Sequence, residues 1–365
     1  MNIFYDHQAF SAQNYGGVSR IFSELITGIP LLSKHSVHLP MIVSNNIYLS
    51  QKRIPHISFL PSVKIPRKQG IIYKLNQLYN TFDIKKTHFD IYHPSYYDPA
   101  LIKYAKGKPV VATFHDMTHE KLAMQFPELS KERSLLEHKK QIAERADHII
   151  AVSNNTKKDL IEILKVPAEK ISVVYLGNSF SQDSKVSKND LHPYLLFVGN
   201  RGSYKNFIYF LRSVTNILIR YKVRLVCAGS SPFTNEELGI IRDLSVQNFV
   251  SYKFSNSDQQ LAELYSNAIA FVFPSLYEGF GIPVLEAFAC NCPCIISNTS
   301  SLPEVAKDAA IYFDPANSFS IANAVEKVIN NTEFRHDLIR KGQERLKAFS
   351  WNKHVQETIE VYEKF

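Results

Sequence analysis

The chain has 365 residues, enough for two domains with real cores at roughly 100–200 residues each. Its 45% hydrophobic and 21% charged residues, with 24 Phe and 19 Tyr, exclude a disordered or collagen-like protein. Lys and Arg number 42 against 34 Asp and Glu, and the net +8 suits an anionic partner (nucleotide, phosphate, anionic lipid or nucleic acid) without choosing among them.

In chain order, Met1 to Asp6 reads as an immediate strand rather than a secretory leader. No apolar stretch approaches the roughly 18 residues of a membrane span, so a cytoplasmic protein is expected. Asn14-Tyr15-Gly16-Gly17-Val18-Ser19-Arg20 opens an amphipathic run with Val18, Ile21, Phe22, Leu25 and Ile26 on one side. The glycine pair there is either a simple helix-opening turn or a loop that lets backbone approach a ligand.

Lys64-Ile65-Pro66-Arg67-Lys68 runs into Ile71, Ile72, Leu75, Leu78, Tyr79 and Phe82, followed by Lys85-Lys86. Two readings stand: a helix packing its apolar face on a sheet, or a basic, apolar surface that docks on anionic headgroups at the inner face of the cell membrane. Residues 110–114 and 148–152 are strand-like, each leading through polar residues into a helical pattern. His115 and Asp116 therefore fall at the carboxyl edge of the first of these strands.

Residues 178–190 are polar, serine-rich and aperiodic, and mark the domain boundary. The expected domains are residues 1–183 and 184–349, with a last helix at 350–365. After the boundary, apolar runs at 194–199, 223–229 and 268–273 repeat the alternation. Near-continuous apolar strands separated by helices indicate parallel sheets covered on both faces: an α/β, doubly wound architecture. Such sheets bind ligands beyond the carboxyl ends of their strands, and a cleft between the two domains is the expected site.

Two strand–loop–helix segments carry candidate chemistry. In Phe197-Val198-Gly199-Asn200-Arg201-Gly202-Ser203-Tyr204-Lys205-Asn206, two cations follow a strand-end glycine. They are either solvated or set to stabilise charge on a leaving group. In the segment from Pro274 to Phe288, Glu278-Gly279-Phe280-Gly281-Ile282 forms a glycine-bearing loop, and a helix starts near Pro283 with Glu286 in its first turn. Loop and first-turn N–H groups can bind an anion, flanked by two carboxylates that suit vicinal hydroxyls. By spacing alone, Glu286 can equally be an ordinary first-turn acid and Glu278 a surface residue. Cys290, Cys292 and Cys294, with Cys227, lack Cys-x-x-Cys spacing and a nearby His, so a buried strand is expected rather than a metal site. Neither Asp-x-Asp nor a lysine-ended phosphate loop occurs.

Residues Tyr277 to Glu286 resemble the Glu, seven residues, Glu signature of the family 4 retaining glycosyltransferases, and further matches cover nearly the whole chain in the family's order. The resemblance implies the GT-B fold: two facing doubly wound Rossmann-like domains, with a C-terminal helix crossing back to the first. It implies a nucleotide-sugar donor and a glycan or lipid-linked glycan acceptor, with no cofactor, no metal and no nucleic acid. By resemblance, Arg201 and Lys205 clamp the diphosphate, Glu278 positions the donor sugar, Glu286 binds the ribose and His115 lines the reacting centre. Gly16, Gly17, Gly199, Gly279, Phe280, Gly281 and Ile282 would approach the donor through backbone, and Lys253 and Phe254 would lie at the base. Asn14, Tyr15, His93 and Tyr96 are candidate acceptor contacts in the cleft, with Tyr97 beside them.

Overall character resembles bacterial surface-polysaccharide mannosyltransferases, with GDP-mannose the first choice of donor and UDP- or dTDP-sugars open. An epimerase or phosphorylase on the same scaffold, and a non-catalytic glycan-binding module, are the rival readings. A nucleic-acid binder would need a basic stripe with interleaved aromatics, whereas these basic residues are scattered. The family often has glycine where this chain has Asn291 and Lys307; Asn tolerates a left-handed turn, and Lys does not.

Overall fold

Short runs rich in Ile, Val, Phe and Tyr form parallel strands, most of them buried on both faces. The computed structural model describes residues 1–130, 133–180, 193–229, 231–255 and 257–365. The chain divides into one unit of Met1–Leu176 with Trp351–Phe365, and a second of Gly177–Ser350. The boundary expected between residues 183 and 184 lies outside the described residues.

The first unit holds β1 (Asn2–Tyr5), β2 (Ser36–His38), β3 (Ile91–His93), β4 (Val111–Phe114), β5 (His148–Ala151) and β6 (Ile171–Val173). They form two parallel sheets, β2-β1-β3 and β4-β5-β6, linked by a bridge from Tyr92 to Val110. Asp6, just past β1, is buried and accepts hydrogen bonds from Ser95 N (3.1 Å), Ser95 Oγ (2.6 Å) and Tyr92 Oη (2.8 Å), tying the ends of β1 and β3 together.

The C-terminal helix, Trp351–Tyr362, returns to this first unit and packs on the helix Gly17–Leu32. Gly28 permits the contact, because a Cβ there would sit 2.7 Å from Val355 Cγ2. A buried chain of polar groups secures it. Tyr5 Oη meets Tyr362 Oη at 2.5 Å, Tyr362 Oη meets His93 Nδ1 at 2.6 Å, and His93 Nε2 meets Thr113 Oγ1 at 2.9 Å.

The second unit is one six-stranded sheet of β7 (Tyr194–Val198), β8 (Arg224–Gly229), β9 (Val250–Phe254), β10 (Ala270–Phe273), β11 (Cys294–Ser297) and β12 (Ala310–Phe313). Its order, β12-β11-β10-β7-β8-β9, is doubly wound: the chain runs outward from β7 to β9, then returns to the other side of β7 with β10. Leu195, Phe197, Phe210, Leu225, Val272 and Ile295 belong to a core cluster of this unit. Cys227, Cys290, Cys292 and Cys294 are free thiols buried in this unit, and burial pushes Cys290 up to about 12. Among the described residues no three His, Cys, Asp or Glu stand together as metal ligands.

Asn291 and Lys307, the two positions where glycine was expected, both take positive φ (56° and 49°). Asn bears that backbone readily; for Lys307, with ψ at −124°, it is strained.

Candidate active site

In a doubly wound sheet, ligands bind where the strand order reverses, beyond the carboxyl ends of the two strands flanking that point. In the second unit these strands are β7 and β10, paired in parallel with Val272 opposite Phe197. The loops that follow them are the two motif segments, residues 199–206 and 274–281. Topology brings together what lies about 75 residues apart along the chain.

Hydrogen bonds join the two loops. Leu276 N donates to Tyr204 O at 2.8 Å, and Lys205 Nζ donates to Glu278 Oε1 at 2.6 Å. Both side chains of that ion pair are largely buried, at 18% and 13% exposure, and the ammonium also lies 5.3 Å from the Phe273 ring centre. A third loop, after β11, braces the second. Ser300 Oγ accepts from Glu278 N at 2.9 Å, and Ser301 Oγ lies 2.9 Å from both Glu278 O and Phe280 O. The Glu278 N–H is thus committed to protein and cannot serve an anion nest. Ser275 Oγ, at the end of β10, is buried with no hydrogen-bond partner among the described residues.

Gly199 and Gly281 hold positive φ, 113° and 110°. A Cβ on Gly281 would also meet Leu302 Cδ2 at 2.9 Å, so both the turn and its packing call for glycine. Gly281 precedes the helix Ile282–Ala289, which carries Pro283 at its start. Glu286 is consequently in the second turn, not the first as expected. It is buried, and its Oε2 accepts from Tyr265 Oη at 3.2 Å.

Arg201 differs from the expected open cation. Its Nε and Nη2 hold both oxygens of Glu237 at 2.8 and 3.2 Å, and Nη2 also donates to Ser231 O and Pro232 O. Only Nη1 has no hydrogen-bond partner among the described residues. Burial alone would raise the Glu237 carboxyl, but the guanidinium and the Thr234 N–H hold it below its usual range. Thr234 and Glu237 also form a reciprocal cap on the helix Asn235–Asp243, so Arg201 anchors the β7 loop to that helix start.

Lys253 and Phe254 are exposed on the edge strand β9. They line a cavity of about 210 Å³ with Tyr194, Gln260, Leu264 and Asn267, which shares no wall with the β7 and β10 loops.

In the first unit, His115 follows β4 at its carboxyl end, as predicted. Its N–H donates to Tyr97 Oη at 2.8 Å, and its ring packs edge-on to Phe22 and Tyr97. Both ring nitrogens are buried with no partner among the described residues. Burial holds this imidazole down at about 4; Asp116 opposes that shift, while Lys139 and His354 add to it. The ring is neutral at physiological pH, with one donor and one acceptor unspent, which costs about 1–3 kcal/mol for each buried group left unpaired.

Asp116 does not bond His115. It accepts from Thr118 N at 3.0 Å and lies 3.4 Å from Lys139 Nζ, which is buried and also meets Glu120 Oε2 at 3.1 Å.

The remaining first-unit candidates separate. Gly16 and Gly17 open the helix Gly17–Leu32, and a Cβ on Gly16 would meet Gln13 Oε1 at 2.3 Å. Asn14 and Tyr15 are exposed beside them, and Tyr96 is half-buried against Tyr97. His93 is a correction. Fully buried, with both nitrogens bonded to Tyr362 and Thr113, it is a structural tie and not a cleft side chain. Tyr97 is likewise buried.

Sequence reasoning missed Glu237, Lys139, Ser300 and Ser301 as supports of these loops. Thr234-x-x-Glu237 is legible as a helix-start pattern, but nothing in it points to Arg201.

Comparison with known proteins shows the family and the fold. The family model for glycosyl transferases group 1 matches residues 179–345, and that for glycosyltransferase family 4 matches residues 15–179. The chain is 28% identical to O-antigen chain mannosyltransferase B of Escherichia coli over 293 residues, 74% of each chain. It is 32% identical to O-antigen chain mannosyltransferase RfbU of Salmonella typhimurium over 189 residues, 52% of this chain and 53% of that one. The crystal structure of Anabaena HepE in complex with UDP and glucose superposes with a TM-score of 0.75 at 17% identity, covering 100% of this chain and 99% of that one.

Proposed function

Because the chain belongs to the family 4 glycosyltransferases and has their GT-B fold, we propose that it moves mannose from GDP-mannose to a hydroxyl of a growing surface glycan, with retention at the anomeric carbon. The observation that carries the donor site is the Lys205–Glu278 pair, set by two loops at the reversal point of the second sheet.

The donor's glycosidic bond loosens as negative charge develops on the departing diphosphate. Lys205 stabilises that charge without reorganising, because Glu278 and the flanking loops already fix its position. Arg201 contributes through Nη1 and by holding the loop. Glu278 bonds hydroxyls of the donor sugar, and Glu286 the ribose. His115, neutral and unpartnered, hydrogen-bonds the sugar at the reacting centre, and a diphosphate oxygen takes the acceptor's proton. No metal is required in this scheme, since fixed cations stand in its place.

The O-antigen relatives support the mannosyl reading. A UDP-sugar donor is the second reading, supported by the UDP bound to the HepE fold relative. The acceptor we infer is a lipid-linked glycan reached from the cytoplasmic side. Thermal-shift titration of GDP, UDP, dTDP and ADP with chelator present tests the donor, since the tightest ligand raises the Tm most. GDP is expected to lead; no shift with any of them overturns the proposal, and UDP leading replaces mannose with the second reading. Proton NMR of the first-formed product reads the anomeric configuration.

A further inference from the structure

The helix Lys68–Asp83 sits in the first unit the wrong way round for a soluble protein. Its inward positions are Ile72, Asn76 and Asn80. Asn76 accepts from Ile42 N and Val43 N and donates to Ser11 Oγ and Val43 O, all within 3.2 Å. Asn80 donates to Pro40 O at 2.6 Å. The amides thus satisfy backbone groups of residues 40–43 that the bridge between Val43 and Ile57 leaves unpaired.

The outward stripe is apolar. Ile71, Leu75, Leu78 and Phe82, spaced three and four apart, are 39%, 42%, 72% and 58% exposed. Leu60 and Val63 extend the patch, because Lys68 Nζ binds the carbonyls of both and holds their loop against the first turn.

Charge surrounds this patch with one sign. Residues 64–86 carry six basic side chains and one acidic, Asp83, whose carboxylate is taken by His38 at 2.6 Å. Lys64, Arg67, Lys74, Lys85 and Lys86 are exposed, and Lys86 Nζ lies 3.8 Å from the Phe82 ring centre, at the apolar border. No helix among the described residues is long and apolar enough to cross a membrane.

We infer that this face docks the protein on an anionic lipid bilayer: the stripe enters the boundary between headgroups and acyl chains, and the lysines and Arg67 meet lipid phosphates. Apolar side chains on an isolated soluble surface seldom form such a contiguous, cation-rimmed stripe. A second copy of the chain is the poorer occupant, because like-charged rims would face each other.

The inference needs neither donor nor acceptor, so it stands or falls apart from the transferase reading. The experiment is co-sedimentation of the full chain with phosphatidylcholine vesicles, with and without phosphatidylglycerol. Binding is expected only with the anionic lipid, falling about tenfold or more between about 0.1 and 0.5 M salt. Leu75→Ser/Leu78→Ser/Phe82→Ser, and separately Lys74→Gln/Lys85→Gln/Lys86→Gln, are each expected to lower it at least tenfold, to roughly the level of the neutral vesicles. Because these side chains are exposed, both variants are expected to keep the wild-type Tm. Absence of binding at low salt, wild-type binding by either variant, or a concentration-dependent dimer abolished by Leu78→Asp overturns it.

Discussion

Lys205→Ala separates the two jobs of the pair at the sheet reversal. At 2.6 Å and an effective dielectric of about 20, the gross attraction between Lys205 and Glu278 is about 6 kcal/mol, most of it offset by desolvation. Removing the lysine leaves Glu278 largely buried and without this partner. Discounted for the 13% exposure of that carboxylate, the expected loss is about 2–3 kcal/mol, or about 5–10 °C in Tm for a unit of this size.

Activity should fall further, by about 10²–10³ in turnover, because a positioned charge is lost where the leaving group develops its own. Adding Glu278→Gln removes the orphaned charge, so the double variant is expected to regain most of the Tm and none of the turnover. Calorimetry follows stability, and release of nucleoside diphosphate from the donor follows turnover. Affinity for the diphosphate should weaken in Lys205→Ala while that for the nucleoside is unchanged. Near-normal turnover, unchanged diphosphate affinity, or activity returning together with stability in the double variant would refute the reasoning.

Arg201→Met is expected to destabilise by about 2–4 kcal/mol, since it strands the buried Glu237 carboxylate, while weakening diphosphate binding less than Lys205→Ala does; denaturant unfolding and nucleotide titration check the two parts. Burial holds His93 at about 3 and His115 and His354 at about 4, whereas the unfolded chain titrates near 6.5. The unfolded state therefore takes up protons first. Stability is full above pH 6.5 and falls as pH drops toward 4, by up to about 1.4 kcal/mol per pH unit for each ring. Trp351, the single tryptophan, packs against His354, so its fluorescence in urea at pH 7 and pH 5 reads this in the first unit. Lys307→Gly should relieve a backbone that lysine bears poorly and raise the unfolding free energy measured in urea by about 1 kcal/mol; a lower value would mean the position carries no strain.

Much of this protein is legible in the order of its amino acids. Apolar runs, strand-end glycines and the spacing from Glu278 to Glu286 are local signals. In a doubly wound fold, residues just past a strand reach the same edge whatever the distant chain does. That logic locates the β7 and β10 loops and His115. The glycines that the family resemblance implies at positions 291 and 307 match the positive φ found there.

Partners are another matter, because a hydrogen bond between segments leaves no trace in either one. Nothing in residues 199–206 announces Glu237, so Arg201 reads as an open cation although packing encloses it. His93 sits in a stretch that suits a cleft, and only the returning C-terminal helix, with Tyr362, turns it into a buried tie. The helix at 68–83 makes the same point in reverse. Its periodicity defines two faces equally well, and burial of the apolar one is the ordinary outcome. The amides of Asn76 and Asn80 found unpaired backbone to satisfy and the hydrophobic stripe did not find a core, so tertiary contacts alone chose which face meets the outside.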